Sequence, residues 1–205
     1  MTRIIGWGDD FQTLNIPQLW EDYNPQDAGD ISVSEGILII SVPRDTVERF
    51  RGLFSIRGLT HPEFEVAAKL RWSVPTGGEA RLVFSKGFGL ENMYYIYYYG
   101  GSRYYMSRVV GGAVRVLASY DLRNDSPPDF EYWRFRYRRG LMVWDRSTVS
   151  EYGPWTRFAR VTDRSLAPPF RLALVSNIRA TSPAGSVSYM YVDWVKVNQK
   201  LTKVV

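Results

Sequence analysis

The sequence predicts an all-β protein, a sandwich of two antiparallel sheets, on three observations. No segment of helical length carries its apolar residues at a convincing 3.6-residue period. About a dozen short segments instead alternate apolar and polar residues or are rich in aromatic and β-branched side chains. Turns that contain glycine separate many of these segments. Without helices to make parallel crossovers, hairpins built into two packed sheets are expected.

The predicted strands follow one another along the chain after an opening segment. They are Ile31 to Val33, Ile37 to Val42, Arg51 to Ile56, Glu63 to Val74, Ala80 to Ser85, Met93 to Tyr99, Tyr104 to Val110, Val114 to Tyr120, Tyr132 to Arg138, Leu141 to Asp145, Arg157 to Thr162, Phe170 to Val175 and Ser186 to Val197. A chain of 205 residues suits one sandwich, so residues 1–205 are expected to form a single domain.

Alternation within the strands predicts which side chains enter the core. In the strand from Glu63 to Val74 every second residue is apolar or aromatic, and this set includes Trp72. In the strand from Tyr132 to Arg138, Trp133, Phe135 and Tyr137 are expected inside, with Tyr132, Arg134, Arg136 and Arg138 outside. Both strands are therefore predicted to be half-buried.

Four short motifs resemble those of the concanavalin A-like lectin/glucanase superfamily. They are Asp9-Asp10-Phe11, the hairpin from Ile31 to Ser41, the segment from Pro168 to Asn177, and the last strand with Val192-Asp193-Trp194-Val195-Lys196-Val197. The resemblance spans nearly the whole chain. It implies a two-sheet jelly roll.

Composition narrows the classes of function. Cysteine is absent, so disulfides and thiolate metal sites are excluded. The net charge of +5 rests on 21 Arg and 5 Lys against 21 acidic residues, and only the segment from Tyr132 to Arg139 concentrates it, so we do not expect a nucleic-acid binder. Abundant arginine, no cysteine and only 10 Asn plus Gln are consistent with a thermophilic source.

The sequence leaves the location of the protein open. We see neither a segment of signal-peptide type nor an apolar run of membrane-spanning length. We therefore expect a protein inside the cell, on a virus particle, or outside the cell by another route.

The resemblance also sets expectations for catalysis. Family-16-type glycosidases of this fold carry an E-x-D-x-x-E strand, and that spacing does not occur here; the acidic clusters at Glu21-Asp22 and at Asp121 to Asp129 are predicted to lie in loops. The single histidine, His61, precedes Pro62 and reads as a turn residue rather than a catalytic base. We therefore expect that this protein is not an enzyme. The alternative is a divergent glycoside hydrolase or lyase.

A structural calcium ion is implied by the resemblance alone. Several members of the superfamily hold calcium with the aspartate of the last strand and with backbone carbonyl groups. In this chain the resemblance implies the Asp193 carboxylate and the Gly36 carbonyl group as ligands, with Asp10 as a neighbour. The alternative is an Asp193 that bonds to the backbone without an ion.

The candidate binding residues lie in the tyrosine-rich hairpin. They are Tyr94, Tyr95, Tyr97, Tyr98, Tyr99, Arg103 and Arg108. One face of the hairpin must enter the core, so the other is expected to expose phenol rings, and either set of tyrosines could be outside. Exposed tyrosine beside arginine suits a glycan and equally a protein surface.

Assembly is the other non-enzymatic hypothesis. Residues 199–205 are predicted to be a frayed tail or a segment exchanged with another subunit, since an apolar strand end can pair with a neighbouring sheet edge. This reading predicts a structural subunit of a virus particle or of an extracellular filament.

Overall fold

The computed structural model describes residues 4–13, 18–100, 103–121 and 130–200. Every regular element in these ranges is a β-strand. In chain order the strands are β1 (Ile4–Asp9), β2 (Trp20–Tyr23), β3 (Asp30–Ser34), β4 (Ile37–Pro43), β5 (Arg49–Leu59), β6 (Glu63–Ser73), β7 (Gly78–Ser85), β8 (Met93–Tyr99), β9 (Arg103–Val110), β10 (Ala113–Asp121), β11 (Glu131–Arg138), β12 (Leu141–Ser147), β13 (Thr156–Thr162), β14 (Phe170–Ile178) and β15 (Val187–Lys200). Within the same ranges, no helix could cross a membrane.

The described strands form two antiparallel sheets. The first has the order β13-β12-β11-β6-β15-β4-β3, and β1 joins it by pairing with β15. There β4 pairs with Val187–Val192 and β1 with Val195–Lys200, so these two strands lie end to end along β15. The second sheet, called sheet B below, has the order β10-β9-β8-β7-β14-β5-β2, and the first is called sheet A. The predicted all-β sandwich is confirmed.

The core lies between the inner faces of the two sheets. In β6, Phe64, Val66, Ala68 and Leu70 are buried while the residues between them are half-exposed. The register of β6 with β11 places Tyr137, Phe135 and Trp133 opposite Phe64, Val66 and Ala68. The inward side chains of β6 therefore lie beside the inward side chains of β11. Trp72 is in the core, as predicted.

One carboxylate is buried at the end of this core. The carboxylate of Glu131 accepts hydrogen bonds from the Tyr104 hydroxyl at 2.8 Å and from the Trp133 indole N–H at 3.1 Å, and it forms an ion pair with Arg146. Burial raises the pKa of Glu131, because the carboxylate loses water, and Arg146 acts in the opposite direction. We call these four residues the buried carboxylate cluster.

Each of the thirteen predicted strands has a counterpart in the structure, but β1 and β2 were not predicted. Strand β2 has only four residues, and the expectation that Glu21 and Asp22 lie in a loop is wrong. Both pair with arginines of sheet B: Glu21 with Arg171 at 2.6 Å, and Asp22 with Arg51. A short strand with two charged residues gives too little alternation to be recognised.

The predicted C-terminal tail, residues 199–205, begins before the last strand ends. Strand β15 continues to Lys200, and Gln199 is buried. Its side-chain oxygen accepts hydrogen bonds from the backbone N–H of Thr60 at 2.9 Å and of His61 at 3.2 Å. The rest of the predicted tail, residues 201–205, lies outside the described residues.

The hairpin between β11 and β12 shows why glycine is needed at its turn. Arg139 and Gly140 both have positive φ, 47° and 90°. This pair of conformations gives the tight turn whose twist matches that of the flanking strands. The turn leaves Arg138 and Arg139 exposed at its tip.

Candidate functional site

The outer face of sheet B carries a row of aromatic side chains. Tyr95, Tyr97 and Tyr99 of β8 point outward, and Tyr97 lies opposite Tyr105 of β9. The partners of Tyr95 and Tyr97 in β7 are Val83 and Arg81. We call Tyr95, Tyr97, Tyr99 and Tyr105 the tyrosine face.

The rings of the tyrosine face pack on one another. The ring centroids of Tyr95 and Tyr97 are 4.9 Å apart and those of Tyr97 and Tyr105 are 5.0 Å apart, both nearly parallel. Tyr95 is 5% exposed and Tyr97 8% exposed, whereas Tyr99 and Tyr105 are half-buried. The expectation that the outward set exposes its rings is therefore wrong for Tyr95 and Tyr97, because the neighbouring rings cover them.

A charged group lies beside these rings. The Glu79 carboxylate accepts a hydrogen bond from Arg81 Nε at 2.7 Å on one oxygen and from Arg179 at 3.0 Å on the other. The Arg81 guanidinium lies between the rings of Phe50 and Tyr95, at 5.1 and 5.2 Å from their centroids. Both carboxylate oxygens of Glu79 are thus held by arginine.

The pKa shifts follow from this burial. Loss of water raises the pKa of the Tyr97 hydroxyl, and Tyr95 and Glu79 raise it further. Burial also raises the pKa of Tyr95, with Arg81 opposing it. Burial acts to lower the pKa of Arg81, but Glu79, Tyr95 and Glu48 together act against it and the net direction is upward. At neutral pH the face therefore carries neutral phenols as donors beside charged guanidinium groups.

The other end of the same face is aromatic. Phe54 contacts Tyr23 and Phe88, with ring centroids 5.0 and 5.1 Å apart, and Phe88 is 46% exposed. The Arg171 guanidinium lies 5.3 Å from the Phe88 ring centroid, so this end of the outer face of sheet B combines phenyl rings with one arginine.

Of the remaining predicted binding residues, the two tyrosines lie in the core and the two arginines form ion pairs outside it. Tyr94 and Tyr98 belong to the core: the Tyr94 hydroxyl donates to Asp163 at 2.7 Å and the Tyr98 ring packs on Trp72 at 5.0 Å. They are therefore removed from the binding face, since alternate residues of β8 point inward. Arg108 lies opposite Tyr94 and pairs with Asp163.

Arg103 is the predicted arginine that stays on the outer side. It lies opposite Tyr99, its side chain is 53% exposed, and it pairs with Asp121 at 3.4 Å. Two other arginines, Arg81 in β7 and Arg179 directly after β14, were not predicted. The signal for Arg81 was the alternation of Glu79, Arg81 and Val83 in β7, whereas nothing local marks Arg179.

The predicted metal ligands come to one region, but the carboxylate is already paired. Leu38, near the start of β4, pairs with Val192, so Asp193 lies next to the turn that contains Gly36. Asp10 directly follows Asp9, which pairs with Val195. The Asp193 carboxylate forms an ion pair with the Lys69 ammonium group. No group of three or more His, Cys, Asp or Glu side chains suited to a metal occurs in the described part of the chain. A positive charge on its carboxylate makes this set a poor fit for calcium, and the calcium site stays a prediction.

His61 takes part in a turn contact. Its Nδ1 accepts a hydrogen bond from the backbone N–H of Glu63 at 3.0 Å. This contact connects the turn before β6 to the start of the strand.

The structure is similar to solved structures of glucanases and of the exoplasmic/lumenal domain of VIP36. A Bacillus licheniformis beta-glucanase superposes with a TM-score of 0.72 at 12% identity, over 96% of this chain and 98% of that one. An endo-beta-1,3-glucanase from Pyrococcus furiosus gives 0.69 at 15% identity, over 98% and 95%. The exoplasmic/lumenal domain of VIP36, solved with Ca²⁺ and Man3GlcNAc, gives 0.65 at 12% identity, over 91% and 86%.

The chain has the concanavalin A-like jelly-roll fold. This confirms the fold implied by the resemblance in the sequence. No protein-family model matches the chain, and no curated protein matches it. At these identities the similarity establishes the fold alone.

Proposed function

We propose that this protein is a non-catalytic carbohydrate-binding module whose contact surface is the tyrosine face. One observation carries the proposal. Of the outward positions of β7, β8 and β14, only Glu79 is a carboxylate, and two arginines hold it; the neighbouring carboxylate, Glu48 from the loop before β5, accepts a hydrogen bond from Asn177 at 2.7 Å. The neighbouring outward positions hold tyrosines.

The chemistry of this face suits a sugar. The half-buried rings of Tyr99 and Tyr105 offer apolar surface to the C–H groups of a pyranose, and a sugar can pack on such rings. The Tyr95 and Tyr97 rings are covered by neighbours and support the two outer rings from below. Arg103 adds an exposed charged donor beside them.

The same contacts argue against hydrolysis at this face. Glycoside hydrolysis by the usual route needs two carboxyl groups about 5 to 10 Å apart across the bond to be cleaved. The Glu79 carboxylate accepts hydrogen bonds from Arg81 and Arg179, which weakens it as a nucleophile or base. A module that binds without cleaving is the function that these contacts favour.

Glycan binding by two double variants tests the proposal. Tyr99→Ser/Tyr105→Ser removes the two half-buried rings of the tyrosine face. Tyr189→Ser/Tyr191→Ser is the matched control, because these two tyrosines are also half-buried and stacked, with ring centroids 5.9 Å apart, but lie on sheet A. At about 1 kcal/mol for each aromatic contact, loss of both rings should weaken binding at least tenfold.

A glycan array with the unaltered protein identifies the sugar, and calorimetry then compares the variants. The proposal predicts a tenfold or greater loss for Tyr99→Ser/Tyr105→Ser and less than a twofold change for the control. A blank array, or equal losses in both variants, would contradict it. Release of reducing ends that disappears in Glu79→Gln would replace it with the glycoside hydrolase alternative.

A further inference from the structure

Sheet A carries an arginine-lined pocket that the tyrosine face does not involve. It lies beside the β11–β12 turn and strand β13 and has a volume of about 500 Å³. Its lining is Arg138, Arg139, Leu141, Arg160, Thr162 and Arg164. Four of six lining residues are arginine, and the volume is within the usual range of ligand pockets.

Most of this charge is not neutralised. Arg138 pairs with Glu63 at 3.1 Å. Within the described ranges, Arg139, Arg160 and Arg164 form no ion pair with a carboxylate, and all three are exposed. Like charges held together in this way repel one another, so an anion between them is favoured.

The carboxylate of Asp163 is engaged by other partners. Asp163 adjoins the pocket in sequence, and its backbone N–H donates to Gly140 O at 2.9 Å. Its carboxylate, however, accepts from the Tyr94 hydroxyl, from Arg108 and from the backbone N–H of Ser165, at 2.7, 2.7 and 2.8 Å. Those partners hold it away from Arg160 and Arg164.

A second pocket adjoins the first and has a different character. Its volume is about 530 Å³, and it shares Arg138 and Leu141 with the arginine-lined pocket. Leu141 and Val143 provide apolar surface and Asn198 an amide, while the charged lining residues are of both signs: Glu63, Glu65, Arg136 and Arg138. With its charges balanced and apolar area beside them, this surface suits a neutral polar group such as a sugar ring.

We propose that the two pockets together bind a sulfated sugar, with the sulfate group at Arg139, Arg160 and Arg164 and the sugar ring against Leu141 and Val143. Guanidinium groups match oxyanions by paired hydrogen bonds. Glu65 would repel a nucleic-acid backbone, which is charged at every residue, whereas a sugar presents neutral hydroxyls there. The arginine-lined pocket also has no aromatic lining residue on which a base could stack.

Fluorescence titration with labelled dextran sulfate tests this site, with unmodified dextran as the uncharged probe. Arg160→Gln/Arg164→Gln removes two of the three guanidinium groups and leaves the turn residue Arg139 in place. Arg57→Gln/Arg115→Gln is the control, because both arginines are exposed and both double variants lower the net charge from +5 to +3. All four arginines are exposed, so both variants should have the same melting temperature as the unaltered protein.

The proposal predicts that Arg160→Gln/Arg164→Gln weakens dextran sulfate binding at least tenfold and that the control changes it less than twofold. It also predicts that sodium sulfate competes better than sodium chloride at equal ionic strength. Equal losses in the two variants, equal competition by the two salts, or binding of plain dextran with the same strength would overturn it. Tighter binding of a single-stranded DNA oligonucleotide, lost in the same variant, would overturn the assignment to a sugar.

The site is independent of the tyrosine face. The variants of Tyr99 and Tyr105 test one sheet, and those of Arg160 and Arg164 test the other. Failure of either proposal is therefore seen separately from failure of the other.

Discussion

Replacing Arg146 with Met tests the buried carboxylate cluster. Glu131 has no exposed surface and Arg146 is 6% exposed, so their ion pair is screened little by water. The variant leaves the Glu131 carboxylate with two neutral donors, the Tyr104 hydroxyl and the Trp133 N–H. Removing one partner of a buried ion pair costs about 3 to 5 kcal/mol of unfolding free energy.

The loss of unfolding free energy in Arg146→Met should be larger at high pH than at low pH. The pKa of Glu131 is raised above the ordinary value of 4.5, so above pH 4.5 the folded state holds this proton more tightly than the unfolded state. Stability therefore falls as pH rises through that window. Removing Arg146 raises the folded-state pKa further, which extends the window upward. At pH 4 the carboxyl group is mostly protonated in both states, and only a packing loss of about 1 kcal/mol remains.

Urea unfolding of Arg146→Met and of the unaltered protein at pH 4 and pH 8 measures this difference. We expect the destabilisation to be about 2 to 4 kcal/mol larger at pH 8, by difference of the two values above. Glu131→Gln/Arg146→Met is the control, and its destabilisation should be the same at both pH values because the carboxyl group is gone. Equal destabilisation of Arg146→Met at pH 4 and pH 8 would refute the electrostatic reasoning.

Three further predictions concern the reaction, the ion and the ends of the chain. We expect no release of reducing ends from β-glucans or alginate, because Glu79 is held by arginines. Release of reducing ends that is lost when one carboxylate is replaced would contradict this. We expect any bound calcium to contact Asp193 in competition with Lys69, so Asp193→Ala should abolish a chelator-induced shift in melting temperature, and a shift that persists would remove Asp193 from the site. If residues 201–205 mediate self-assembly, deleting them should convert an assembly into monomers by light scattering, and an unchanged monomer before and after would end that hypothesis.

The sequence by itself determined the class of fold and much of the core. The two-residue period is a property of the local backbone, so the alternation in β6 and β11 was enough to place Trp72 and Phe135 inside. Short motifs at the two ends of the chain were enough to suggest the concanavalin A-like fold. The two strands that were missed, β1 and β2, are short and carry weak alternation.

Only the tertiary structure decided which tyrosines of β8 face outward and what surrounds them. Both faces of β8 are aromatic, so alternation divides Tyr94 and Tyr98 from Tyr95 and Tyr97 but leaves the inward set undetermined. The packing of sheet B on sheet A makes that choice. Arg179 reaches Glu79 across 100 residues of chain, through the pairing of β14 with β7. Contacts of this kind depend on strand order and register, which are set by the whole sandwich and leave no mark in the local sequence.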